Sequence, residues 1–321
     1  MLHKQILAYL NSALRSLLRF WVRTGIVPGY LYQVCESWGR ELAEEPLEAR
    51  LFNGCKITCD LKDHIQRQIY YFGAFEPIEA YLFSQLLEPG MIVIDVGANL
   101  GQYTLIAAKA VGSSGKIYAF EPVPSNFEML SRYVYRNNLN SVVKLENLGL
   151  WNKNELLKFS LYDTEVYDNA TDYIVGEYDN AVNTIECLAI TLDDYIVQEK
   201  ILQVDLIKMD IEGSEYFALQ GAVELIQKFS PTFLMEINRE NCKTLGYEVD
   251  RICTFFQGFG YKVWKIGASA SCSQIIPSLA GVERANVIFY ARELPTNVTS
   301  GWTIKSILKS HRKNADRKEI R

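Results

Sequence analysis

Histidine is nearly absent from this chain, with three in 321 residues. His3 and His311 fall in the terminal stretches, which leaves His64 as the one histidine placed to act as a base, so proton transfer must draw mainly on carboxylates. No Cys-x-x-Cys pair occurs among the seven cysteines at 35, 55, 59, 187, 242, 253 and 272. Cys55 and Cys59 lie closest together, but no second Cys/His pair completes a zinc site. An odd, dispersed set of thiols fits a reduced, cytoplasmic setting. The sequence also lacks internal repeats, low-complexity tracts, and any unbroken run of the roughly 20 apolar residues that would span a bilayer.

What is present is an ordinary globular composition, 49% apolar and 22% charged, with ample material for a core. The net charge is −5, of which residues 1–35 carry +4 and residues 303–321 carry +5, leaving −14 on the body. An acidic body with two basic ends excludes a broad phosphate-tracking surface, so no nucleic-acid partner is expected. Leu2, Ile6, Leu7, Leu10, Leu14, Leu17, Leu18 and Trp21 recur at helical spacing near Arg15, Arg19 and Arg23. The stripe reads as a helix packed on the domain or on a second copy in a homo-oligomer. The alternative is a basic amphipathic helix making peripheral contact with the inner face of a membrane through residues 1–23. It lacks the compact apolar core and small-residue cleavage site of a signal peptide.

Residues 1–63 read as a helical extension, helical to about 50, with a small hairpin over 51–62 turning at Asn53-Gly54. Residues 64–295 form the main domain and 296–321 a basic tail. Helix is expected over 64–88, broken at Gly73 and Pro77. Strand–helix alternation follows: strands at 91–96, 116–120, 142–146, 206–209, 231–236, 261–266 and 286–291, with helices at 102–111, 124–138, from about 213 to 228, and at 247–257. Residues 155–190 interrupt it as a polar insertion, rich in tyrosine (Tyr162, Tyr167, Tyr173, Tyr178) and with strand character at both ends. The pattern predicts an α/β fold, a mostly parallel sheet with helices on both faces. Ligands of such sheets bind beyond the carboxyl ends of the strands, where Asp95, Glu121, Asp210 and Glu236 would line one crevice.

Val93-Ile-Asp95-Val-Gly97-Ala-Asn99-Leu-Gly101 is a strand entering a glycine turn and then a helix. Its G-x-x-x-G spacing is neither the dinucleotide fingerprint nor a P-loop, which argues against a nicotinamide oxidoreductase. The turn begins with a carboxylate, which repels pyrophosphate but suits a ligand bearing a cationic amine. Twenty residues after Gly101, Glu121 in Tyr118-Ala-Phe-Glu121-Pro122 ends the second strand, where an acid accepts hydrogen bonds from both ribose hydroxyls. A nucleoside with a cationic amino-acid tail satisfies both acids, and S-adenosylmethionine is such a ligand.

These blocks resemble the FkbM family of methyltransferases. The resemblance runs through Asp95-Val-Gly-Ala-Asn99-Leu-Gly101-Gln-Tyr103-Thr104-Leu105, Phe120-Glu121-Pro122-Val-Pro124-Ser-Asn126-Phe127, Asn138-Leu-Asn140, Thr191-Leu-Asp193-Asp194-Tyr195, Lys208-Met-Asp210-Ile-Glu212-Gly213-Ser-Glu215 and Asn286-Val-Ile-Phe289, with Tyr71 to Pro77 as a lead-in. It implies a class I, Rossmann-like methyltransferase with a seven-stranded sheet, and O-methylation of a hydroxyl on a sugar, glycan or secondary metabolite. By position it implies that Asp95, Gly97 and Asn99 surround the methionine end of the cofactor and Glu121 the ribose, with Asn147 to Gly149 near the adenine. Gly101, Tyr103, Thr104, Pro122 and Asp210 complete the candidate cofactor set.

For the reaction itself, Asp210 and Glu212 are the candidate catalytic acids, Glu212 as base, with His64 as a weaker alternative. Asp210, Glu212 and Glu215 also fit as acids at a helix N-terminus, Glu215 best, with Ser214 as a cap. Asp210, Glu236 and Asn238 would be oxygen ligands suited to Mg²⁺, although carboxylates around a cationic cofactor explain the same residues. A base-flipping nucleic-acid enzyme would show [DN]-P-P-[YF] where Asp210-Ile-Glu212-Gly213 stands. A catalytically silent protein that only binds S-adenosylmethionine is the remaining alternative.

Overall fold

The computed structural model describes residues 11–19, 35, 45–160, 173–174, 184–266 and 274–291. A hairpin of β1 (Leu47–Arg50) and β2 (Lys56–Cys59) leads into helices α1 (His64–Phe72) and α2 (Pro77–Leu86). Then β3 (Ile92–Val96), α3 (Gln102–Val111), β4 (Lys116–Phe120), α4 (Pro124–Arg136) and β5 (Val143–Glu146) alternate. The insertion supplies β6 (Gly149–Leu150), β7 (Glu155–Ser160), β8 (Tyr173–Ile174) and β9 (Thr184–Ile190). Alternation resumes with α5 (Leu192–Gln198), β10 (Leu206–Met209), α6 (Glu215–Gln220), α7 (Val223–Phe229) and β11 (Thr232–Asn238). It closes with α8 (Arg239–Thr244), α9 (Asp250–Gln257), β12 (Lys262–Lys265), β13 (Gln274–Ile276) and β14 (Arg284–Tyr290).

The main sheet has eight strands in the order β13-β12-β14-β11-β10-β3-β4-β5. β3, β4, β5, β10 and β11 are parallel, and β14 runs antiparallel between β11 and β12. This is the Rossmann-like sheet the alternation predicts, with β13 added as an antiparallel edge. The strands are short apolar runs because both faces are covered. Leu206 joins the core beneath α1–α4. Ile207 and Met209, one register step away, join the core beneath α5–α9. The chain leaves β3 toward β4 and β5, then returns to place β10 on its other side, so the switch point lies between β3 and β10.

Several boundaries differ from those read in the sequence. The hairpin starts earlier, since Leu47–Arg50 pairs with Lys56–Cys59 rather than extending a helix. The helix expected to 228 is broken at Gly221, where a Cβ would meet the Trp151 carbonyl oxygen at 2.2 Å, so α6 stops and α7 restarts. Two short helices went unread, α5 capped by the Thr191 hydroxyl and α8 capped by Asn238. The helix expected from 247 begins at Asp250. β7, β8 and β9 form a separate sheet with β6, anchored by the stacking of Trp151 on Phe217. Of its tyrosines, Tyr162, Tyr167 and Tyr178 lie outside the described residues, as do the basic tail and Cys272.

Of the N-terminal stripe, residues 11–19 are helical and lie against α1. Leu18 is buried, the Arg19 guanidinium donates to the Ile69 and Tyr70 carbonyls at 3.2 and 2.9 Å, and Arg15 stacks over the Tyr70 ring. The described part therefore behaves as a helix packed on the domain. Residues 1–10 and 20–23 of the stripe lie outside the described residues. Among the described residues no helix is long and apolar enough to cross a membrane.

Phe256 anchors the second core: it is fully buried, stacked on Phe289 at a centroid distance of 4.0 Å and packed edgewise on Phe233 at 4.8 Å. Phe256→Ala is expected to cost about 3–5 kcal/mol in denaturant unfolding. Leu202→Ala, at a residue 85% exposed, should stay within ~0.5 kcal/mol of the parent.

Candidate functional site

The ends of β3, β4, β10 and β11 open onto one crevice of about 650 Å³. Gly97 follows β3 with φ of 74°, and a Cβ there would stand 2.0 Å from the Asp210 carbonyl oxygen. Only glycine lets the turns after β3 and β10 approach so closely. Three of the six non-glycine residues with positive φ among the described residues, Glu76, Asn99 and Glu212, line this crevice. Strained backbone gathers where side chains must be aimed for function.

Glu121 ends β4 on the crevice wall. The Asn99 N–H donates to its Oε2 at 2.6 Å and the Val123 N–H to its Oε1 at 3.0 Å, so both oxygens are fixed in place. Asn147 is not on the wall: its amide donates to the Glu121 and Pro122 carbonyls at 2.8 and 3.0 Å and clamps the turn that carries Glu121. Pro122, Asn99, Gly97 and Tyr103 line the crevice.

Asp95 is the main correction to the expected crevice. It is buried and does not reach the wall. The Thr104 hydroxyl donates to its Oδ2 at 2.5 Å, so the pair ties the end of β3 to α3. Strand parity is the reason: Asp95 shares a face with Val93 and is turned toward the core beneath α3. Burial raises its carboxyl to about 6 against the pull of Thr104 and Lys208. Thr104, Gly101 and Gly149 also lie off the wall; a Cβ on Gly101 would strike Leu130, and Gly149 packs on Phe159.

The opposite wall is acidic. Glu212 receives a hydrogen bond from the Asn241 amide at 2.7 Å and is pushed up to about 8 by burial and by the charges of Asp210 and Glu215. Glu236 is paired with Arg284, yet burial and the charges of Asp210 and Glu76 raise it to about 9. Asp210 goes the other way. Burial would raise it, but the Lys208 ammonium at 3.1 Å holds it below the usual carboxylate range. His64 also lines the crevice, its Nε2 2.8 Å from the Gln68 amide nitrogen.

The oxygens considered for Mg²⁺ already have partners: Asp210 has Lys208, Glu236 has Arg284, and the Asn238 Oδ1 caps α8 by accepting from the Glu240 and Asn241 N–H groups. Among the described residues no group of three or more His, Cys, Asp or Glu is arranged to hold a metal ion.

Sequence reasoning missed Lys208, Glu76, Asn241 and Arg284, all on the crevice. Lys208 had a readable signal, a lysine inside an apolar strand. Glu76 stood in the lead-in segment, where its αL conformation at the start of α2 and its hydrogen bond from Asn286 at 3.0 Å could not be foreseen. Nothing in the sequence marks Arg284.

The chain matches the family described as "Methyltransferase FkbM domain" over residues 95–263. It is 27% identical over 157 residues to the methyltransferase sdnD of Sordaria araneosa, a match covering 41% of this chain and 60% of that protein. The chain thus spans about 60% of that curated relative's length. Among solved structures it is similar to a methyltransferase FkbM from Methylobacillus flagellatus KT, with 16% identity, 71% of this chain and 55% of that one covered, and a TM-score of 0.41. A SAM-dependent O-methyltransferase from Thermotoga maritima gives 11% identity, coverage of 78% and 94%, and a TM-score of 0.36.

Gly97→Ala combines an unfavourable φ with the collision at the Asp210 carbonyl. Gly246→Ala is the control, since φ is 78° there but nothing lies within 4 Å of the new Cβ. The control should lose about 1–2 kcal/mol from the left-handed backbone alone. Gly97→Ala should lose clearly more by chemical denaturation.

Proposed function

The chain belongs to the FkbM family of methyltransferases, and from that premise we propose that it moves the methyl group of S-adenosylmethionine to a hydroxyl of a sugar, glycan or secondary-metabolite acceptor. The observation that carries this reading is Glu121: a carboxylate fixed by two backbone N–H groups at the end of β4, on the wall of a crevice opened by Gly97. Such a group accepts from a vicinal diol, and the acidic wall of Asp210, Glu212 and Glu236 suits a cationic sulfur and amine.

When bound, S-adenosylmethionine supplies a methyl group activated by the positive sulfur. Glu121 holds the ribose hydroxyls, and the bare backbone at Gly97 permits close approach of the amino-acid end. Glu212 takes the proton of the acceptor hydroxyl as its oxygen gains the methyl group. Asn241 keeps the Glu212 carboxyl in place through the 2.7 Å hydrogen bond. A base whose pKa lies near working pH is the efficient choice, and about 8 meets that condition.

Two measurements test the reading. Calorimetry should show S-adenosylmethionine binding that Glu121→Ala weakens by about 10- to 100-fold, the range expected for hydrogen bonds to a charged group. Absence of binding by the parent protein would sink the proposal. Release of S-adenosylhomocysteine in the presence of an accepted alcohol should rise with pH and level off above about 8, because Glu212 is protonated and inactive as a base below that value. Glu212→Gln should lower the rate by about 10²–10⁴-fold and abolish that rise.

A further inference from the structure

Lys208 occupies the third position of β10, a strand buried along its whole length, and is 1% exposed. Its register neighbours are Asp95 on β3 and Leu234 on β11. An ammonium so far from water is unfavourable unless it is paired, and an apolar side chain in its place would serve stability as well or better. A role beyond stability is therefore needed to account for it.

Its contacts indicate that role. Nζ lies 3.1 Å from Asp210 Oδ2 and 4.8 Å from the centre of the Tyr103 ring. That ring also meets Phe83 edge-on at 5.1 Å, so it is gripped by an aromatic ring and a cation. Asp210 and Tyr103 both line the crevice, and the Tyr103 hydroxyl is buried without a hydrogen-bond partner. A buried phenol without an acceptor is a standing deficit that a ligand oxygen would remove.

We propose that Lys208 is a positioning residue that pins Asp210 and Tyr103 together at the crevice floor, so that the carboxylate accepts from, and the phenol donates to, the oxygen of the acceptor alcohol. The identity of that alcohol rests on the methyl-transfer reading; the pinning does not. An ionised carboxylate can only accept, and a phenol has one proton to give, so the pair offers complementary partners to one hydroxyl. Lys208 also fixes the charge of Asp210 against its surroundings. Glu76 at the start of α2, Glu79 of α2, Asp95 of β3, Glu212 of the loop after β10, Glu215 at the start of α6 and Glu236 of β11, which hydrogen-bonds Asp210, are the acids around it, with Arg284 of β14 the other cation.

The test needs no acceptor. In protein labelled with [γ-¹³C]aspartate, with Asp210→Asn to assign the signal, the Asp210 carboxyl of the parent should titrate below the ordinary aspartate range. In Lys208→Met its midpoint should rise by about one pH unit or more, and in Lys208→Arg, which keeps the charge, it should return toward the parent value. Calorimetry of the parent with S-adenosylmethionine gives the second readout, and the parent should bind it. An Asp210 midpoint in the parent at or above the ordinary range overturns the proposal even if Lys208→Met does not fold. So does a midpoint unmoved in a folded Lys208→Met protein. A parent that binds no S-adenosylmethionine would overturn the methyl-transfer reading while leaving the titration to decide the role of Lys208.

Discussion

The close approach of the chain turns after β3 and β10 is the constraint on which the site depends. Gly97 lies under the Asp210 carbonyl with no room for a Cβ. Around this contact the sheet ladder continues one step past the strand ends. The Asp210 N–H donates to the Val96 carbonyl at 3.1 Å, the Gly97 and Ala98 N–H groups to Phe120 at 3.0 and 2.9 Å, and the Glu121 N–H to Glu146 at 3.0 Å. These bonds hold the turns after three strands at one level. The crevice is therefore bounded largely by backbone, and the side chains that line it are aimed by a hydrogen-bonded frame rather than by loose loops. The strained φ values of Glu76, Asn99 and Glu212 are sustained in the same way, by surroundings that over-determine them.

Much of that frame was legible. Short apolar runs punctuated by glycine announced β3, β4 and β10, and the acids at or just past strand ends gave Glu121, Asp210 and Glu236 as wall residues. What was not legible depended on pairings between residues distant in sequence. Asp95 faces inward because parity along β3 places it with Val93, opposite Lys208 in the parallel register with β10. Arg284 reaches Glu236 because β14 runs antiparallel to β11. Neither register can be read from a local pattern. The break at Gly221 has the same origin, a close approach to Trp151 seventy residues earlier in the chain. The caps of α5 and α8 are another matter. Thr191 and Asn238 are ordinary N-cap residues, and helices of seven and six residues are too short for apolar periodicity to reveal.

The N-terminal segment and the hairpin belong to the same packing problem. Ile57, Cys59 and Leu61 share a core with Val93 and Leu105. The Tyr133 hydroxyl donates to the Thr58 carbonyl at 2.7 Å, and the Asn137 amide to Lys56 at 2.8 Å. The helix over residues 11–19 satisfies carbonyls at the end of α1 through Arg19. α1 carries His64 and Gln68 to the crevice, so this segment supports one wall from behind.

The electrostatic design follows from where the two cations sit. Arg284 is 58% exposed, and its field is weakened by water. Lys208 is inside the sheet, where its charge acts at nearly full strength on the carboxyls around it. One buried cation cannot stabilise every neighbouring acid, and its closest partner, Asp210, takes most of the benefit. Asp210 then acts on the others as a fixed negative charge and helps raise Glu76, Glu212 and Glu236. Environment alone thus divides similar side chains into one that keeps its charge and two, Glu212 and Glu236, that hold a proton near neutral pH. An occupant with a positive sulfur favours ionisation of the raised acids, and an occupant with a neutral sulfur does not. By linkage, the charge on this wall depends on what fills the crevice, and under the proposed methyl transfer the difference would favour holding the charged methyl donor and releasing the neutral product.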